Sequence, residues 1–208
     1  MKEEKDYIGD IAAIRTMMER TSKFLSLSGW AGIMAGIYAL AGAWIAYKLF
    51  YFNPNEIVYK PVETEGWSAT LVQLIGLALA ILILTLGTAI FLSARKANKR
   101  NEKIWNATSK QMLINMAIPL VTGGVLILIL IAKGLLGLVA PLTLVFYGLA
   151  MYNASKFTYS EMKVLGLMEI ALGLVGAYFI GYGLLCWAIG FGVLHIITGI
   201  YLHYKYER

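Results

Sequence analysis

From Val164 to Tyr204 the chain runs for 41 residues with a single formal charge, Glu169. The same run contains His195, while the second histidine, His203, sits near its end. An acid and an imidazole inside apolar sequence could relay protons or sense pH, provided that they meet. They could equally form an interhelical hydrogen bond that only holds the structure together. As one helix the run would be about 60 Å long, twice the roughly 30 Å of a hydrocarbon core, so it must cross twice. Gly181-Tyr182-Gly183 is the best turn, because paired glycines permit a tight reversal. Glu169 lies 13 residues before Tyr182 and His195 lies 13 after it, which places the two at one depth in an antiparallel hairpin. Gly173 and Gly176 share a helix face with Glu169, and Gly192 and Gly199 share one with His195. The spacing predicts that Glu169 and His195 face each other between the fifth and sixth spans, across a close glycine-lined face.

No other residues make a convincing centre. There is no G-x-S-x-G, H-E-x-x-H, P-loop or Rossmann fingerprint. Two histidines and one cysteine are too few for a metal cluster, so neither a metal nor a cofactor is expected. Cys186 lies in an apolar run and reads as a packing residue. These absences point away from an enzyme.

The elements that must carry the pair follow from composition. Hydrophobic residues make up 59% of the chain and charged residues 14%, too little charge to cover a soluble fold of 208 residues. The net charge of +6 is confined to connections between apolar runs, which argues for lipid headgroups and against nucleic acid. The expected fold is an all-α bundle of six transmembrane helices arranged as three antiparallel hairpins. The spans are read at about 26–50, 67–94, 111–132, 135–153, 164–181 and 184–204, giving a membrane domain over 26–204 and a tail over 205–208. Lys133-Gly134 is the expected turn between the third and fourth spans, and Pro119 and Pro141 should kink those spans or sit near their ends. Fifteen of the eighteen lysines and arginines fall on one side of this arrangement, which places both termini in the cytoplasm. The expected location is the inner (plasma) membrane of a bacterium.

Residues 1–25 carry a mostly apolar stripe, Tyr7, Ile11, Ile14, Met18, Thr21 and Leu25, at helical spacing. An amphipathic cytoplasmic segment of this kind could lie on the membrane or dock a protein partner. The connection after the second span carries Arg95, Lys96, Lys99, Arg100, Lys103 and Lys110, read as contacts to anionic lipid headgroups. The loop over 52–66 holds Glu56, Glu63 and Glu65, which read as solvated. Ala31, Ala35, Ala39 and Ala43, with Gly32 and Gly36 beside them, let the first span approach a neighbour closely, within the chain or in a homo-oligomer.

The run from Gly166 through Glu169 to Leu174, followed after the turn by Gly190 to Tyr201, resembles the repeated hairpin of the small six-helix acid-resistance membrane proteins of bacteria. The whole chain also resembles six-span proteins of Bacteroidota-type bacteria that have no assigned activity. The first resemblance implies an acid-stress role. Function is thus expected to be non-enzymatic: a small inner-membrane accessory or stress-response protein. The alternative is a small transporter or channel using Glu169 and His195.

Overall fold

The computed structural model describes residues 27–50, 69–99 and 105–207. These residues form helices and no strand. Six long helices follow in chain order: α1 (Gly29–Lys48), α2 (Ala69–Lys99), α3 (Ala107–Ala132), α4 (Leu136–Ala154), α5 (Glu161–Tyr178) and α6 (Ile180–Tyr206). All except α5 are long and apolar enough to cross a membrane. Helix α5 carries Glu161, Lys163 and Glu169 within its 18 residues. The amphipathic segment 1–25, the whole acidic loop over 52–66 and the basic residues Arg100 and Lys103 lie outside the described residues.

Local sequence sets the helix ends. Asn106 begins α3 with a reciprocal capping box: Ser109 N–H donates to Asn106 Oδ1 at 2.8 Å, and Asn106 N–H donates to Ser109 Oγ at 2.9 Å. Between α3 and α4 the chain reverses at Gly134, whose φ of 74° is left-handed and favours glycine. The first turn of α4 is a tight 3-10 turn, Leu136–Leu138, and Pro141 follows in the first turn of the α-helical part, where its missing N–H is harmless.

The reversal between α5 and α6 differs from the expected glycine turn. Helix α5 ends at Tyr178, and Phe179 breaks the helix with φ −105° and ψ 74°. A 3-10 turn, Ile180–Tyr182, leads directly into regular helix at Gly183, with φ −55°. Gly183 is therefore used for contact and not for reversal. A Cβ there would lie 3.1 Å from the Pro141 ring.

Helix α6 is the middle element of the packing. It begins against α4 and α5, and its second half lies along α1. Helices α4 and α5 meet backbone to backbone, where a Cβ on either Gly148 or Gly166 would come within 2.6 Å of the other's carbonyl oxygen. Helix α3 packs on α4, and α2 packs along α1 while leaving most of its surface exposed. Met151, Tyr159, Met162, Leu165 and Leu202 form a buried cluster joining α4, α5 and α6 near the chain's C-terminal end.

The glycines mark these seams, and except for Gly176, which meets Cys186 of α6, they correct the expected close face between α5 and α6. Gly173 abuts α4 at the Pro141 carbonyl and Val145. Gly176 lies against both Cys186 and Pro141. Gly192 faces Leu40 of α1, and Gly199 faces Gly29 and Ile33 of α1. Gly32 and Gly36 complete the same α1–α6 seam, Gly32 against Gly199 and Gly36 against the Gly192 carbonyl and Ile196. The reason lies in α6 itself. Residues 190 and 192 are two positions apart and so face nearly opposite sides of the helix, one toward α5 and the other toward α1.

Candidate functional site

Glu169 projects from α5 and is completely buried. His195 projects from α6 and is 7% exposed. His195 Nδ1 lies 3.3 Å from Glu169 Oε1, so the helices bring the two together. The imidazole proton is nevertheless aimed elsewhere. Nδ1 is 3.1 Å from the Gly190 carbonyl, which can only accept, so Nδ1 is the donor. Among the described residues neither oxygen of Glu169 has a hydrogen-bond partner. The contact is thus a charge-distance approach without a directed hydrogen bond.

Helix α6 makes this geometry by widening. Ala188–Leu194 is a π-helical stretch, in which residue i+5 comes to lie over residue i. His195 therefore reaches back to the carbonyl five residues earlier. The same stretch places Gly190 against the acid: a Cβ there would lie 2.5 Å from Glu169 Oε2 and 2.5 Å from Leu144 Cδ2. Glycine at this position leaves the space that the carboxyl group occupies.

The second ring nitrogen has a partner that sequence reasoning missed. His195 Nε2 is 2.9 Å from the Tyr147 hydroxyl of α4. With the proton of a neutral imidazole on Nδ1, Tyr147 donates to Nε2. Phe191 stacks on His195, with ring centroids 5.7 Å apart, and also touches Tyr147 at 4.9 Å and Trp187 at 5.1 Å. The site is a three-helix cluster of Tyr147, Glu169, Gly190 and His195 walled by Leu144 and Phe191. One signal could have found Tyr147. A buried imidazole paired through one nitrogen needs a partner for the other, and Tyr147 is a hydroxyl-bearing residue in the middle of an adjacent span.

A second polar cluster closes the far end of α6. Glu207 accepts from His203 Nδ1 at 2.7 Å, Lys96 Nζ at 2.9 Å and the Gly29 backbone N–H at 2.9 Å. Ser28 makes no side-chain cap on α1, so Glu207 supplies an acceptor for its first turn. Burial pushes the Glu207 pKa up, but the His203, Lys96 and Gly29 donors outweigh it and hold it at about 2. Lys96 also donates to the Leu27 carbonyl at 2.6 Å and to Tyr159 at 3.2 Å. It is thus turned into the protein, unlike its exposed neighbours Arg95 and Lys99 and the exposed Lys110. Beside it Glu161 of α5 accepts from Lys205 at 2.6 Å and from Tyr206 at 3.0 Å.

Among the described residues no three His, Cys, Asp or Glu side chains gather to hold a metal ion. The fold and the buried cluster define an all-helical protein with several helices of membrane-crossing length and an acid–imidazole–phenol group at its centre. No protein-family model, curated protein or solved structure matches the chain.

Proposed function

We propose that this chain is a non-enzymatic, six-span protein of a bacterial inner membrane, with both termini cytoplasmic and its consecutive helices joined as three antiparallel hairpins. Its role is that of an accessory or stress-response protein. Helix α5 is its fifth span and completes the six, the three charges being tolerated because Glu169 is internal and Glu161 and Lys163 lie in the first turn. The Glu169–His195–Tyr147 cluster acts as an internal clasp for α4, α5 and α6. One observation carries this reading: the acid is completely buried, with its carboxyl group in the space that Gly190 leaves open. A conduction path needs successive polar steps, and one pair does not supply them.

The transporter reading keeps one point in its favour. A buried carboxyl group without a hydrogen bond is free to exchange a proton if the helices open. Reconstitution separates the two. Proteoliposomes holding the purified chain and a pH-sensitive dye are given an inward proton gradient. The clasp reading expects flux no greater than in empty vesicles, and the same for Glu169→Gln. A flux that disappears in Glu169→Gln overturns it in favour of transport. Reporter fusions at both ends test the orientation; an external C-terminus would remove the six-span topology.

A further inference from the structure

We infer that the cleft between α1 and α2 is a site for a single anionic phospholipid, bound with its phosphate at Arg95 and Lys99 and an acyl chain along the helices. The two helices touch where Tyr38 OH meets Thr88 Oγ1 at 3.3 Å. Toward the Lys96 end they leave a groove of about 650 Å³ walled by Trp30 and Met34 of α1 and by Thr88, Phe91 and Leu92 of α2. Gly87 deepens it: a Cβ there would find nothing within 4 Å. From Gly87 to Arg95 is eight residues, about 12 Å of helix rise, enough to cover much of an acyl chain in one leaflet.

The chemistry changes at one end. A second, contiguous space of about 520 Å³ shares Trp30, Leu92 and Arg95 with the groove and adds Lys99 and the Lys96–Glu207 pair. Glu207 is its one acid, and Lys96 already balances its charge while His203 and the Gly29 N–H also donate to it. Arg95 and Lys99 are exposed and make no ion pair among the described residues. The mouth therefore carries two uncommitted cations above an apolar slot. A guanidinium fits a phosphate in a bidentate manner. A zwitterionic lipid would bring its own cation to this mouth, so a headgroup with a lone phosphate charge is favoured. The occupant is a phosphatidylglycerol-type lipid. This inference rests on membrane insertion alone and is independent of the role given to Glu169.

The test uses the full chain in detergent, incubated with equal phosphatidylglycerol and phosphatidylcholine and read by native mass spectrometry. Wild type is expected to retain phosphatidylglycerol preferentially. Each near-surface cation contributes about fivefold, so Arg95→Gln with Lys99→Gln should lose about 25-fold of that preference. Lys110→Gln, an exposed cation elsewhere, should lose none. Gly87→Leu fills the slot and should lower retention of both lipids while leaving the thermal midpoint in lipid-free detergent unchanged. The inference is overturned if Lys110→Gln lowers the preference as much as the Arg95 and Lys99 changes, since that is surface charge alone. It is also overturned if Gly87→Leu retains lipid like wild type, because the groove is then not occupied.

Discussion

The closest packing in the polar cluster gives a sharp test in Gly190→Ala. The new Cβ would lie 2.5 Å from both Glu169 Oε2 and Leu144 Cδ2, whereas ordinary contact begins at 3.4 Å, so about 0.9 Å must be found. Glu169 and Leu144 are both completely buried, and neither has an open side to move into. Overpacking of this kind costs up to about 3 kcal/mol, and replacing glycine by alanine in a helix returns about 1 kcal/mol. The net loss is about 2 kcal/mol, or about 4–8 °C in midpoint for a chain of this size. Gly124→Ala makes the same chemical change where nothing lies within 4 Å, and it should leave the midpoint equal or slightly higher. Thermal unfolding in one detergent, followed by tryptophan fluorescence, compares the two. Adding Glu169→Asp to Gly190→Ala withdraws the carboxyl group and should recover more than about 0.5 kcal/mol, a coupling expected of residues in contact. If the two alanine variants unfold at the same temperature, the acid does not occupy the space beside Gly190. The clasp then fails as a description of the site.

Tyr147→Phe leaves His195 Nε2 buried without its partner, and should cost about 1–3 kcal/mol in detergent-unfolding midpoints. Gly199→Ala drives a Cβ to 2.6 Å from the Gly29 carbonyl and 2.7 Å from the Ile33 nitrogen. Backbone has little give, so α1 should loosen, and hydrogen exchange in α1 should rise more than in α4. Glu207 has a folded pKa of about 2, below its ordinary 4.5. Its contribution is complete above about pH 4.5 and is lost as pH falls through 2. Relative to Glu207→Gln, wild type should therefore lose about 1 kcal/mol on acidification through this window, screening at a helix end being allowed for. Unfolding midpoints of the two proteins measured from pH 6 to 2 check this, and parallel curves would refute it. His195 and Glu207 are twelve residues apart, about 18 Å along α6, so Gly190→Ala and Glu207→Gln should add within about 0.5 kcal/mol.

The meeting of Glu169 and His195 could be read from the sequence because polar residues are rare in such spans and the reversal over residues 179–182 falls near their midpoint, which puts them close to one depth. What counting cannot supply is azimuth. The spacing puts Gly173, Gly192 and Gly199 on one face between the last two helices, yet they contact α4, α1 and α1 respectively. Apolar sequence surrounded by lipid has no polar side to orient it, so the usual amphipathic clue is missing. The π-helical stretch at Ala188–Leu194 was equally hidden, since it shifts faces without changing composition. The turn was misplaced for a related reason. Gly181 and Gly183 look like a reversal, but Phe179 takes the break and Gly183 serves contact with Pro141. Lys96 shows the converse case. In the sequence it is one of six similar cations, and three partners distant in the chain, Leu27, Tyr159 and Glu207, set it apart from Arg95 and Lys99.

The placement of α6 between its neighbours accounts for both the glycine contacts and the widened stretch. A helix at the edge of a bundle needs one close face, and one set of small residues is enough. A helix held between neighbours needs two, and its small residues must serve both. Gly183, Cys186 and Gly190 turn toward α4 and α5, while Gly192 and Gly199 turn toward α1. The widened stretch lies where one set gives way to the other, and His195 follows it directly. The imidazole is thereby held at the junction, with α4 supplying its hydroxyl partner and α5 the acid. The backbone carbonyl of His195 in turn lies under Gly32 of α1, where a Cβ would come within 3.3 Å. A single residue is therefore in contact with three other helices. The approach at Gly32 is one of several along the α1–α6 seam, and it joins the buried pair to the helix that lines the proposed lipid groove.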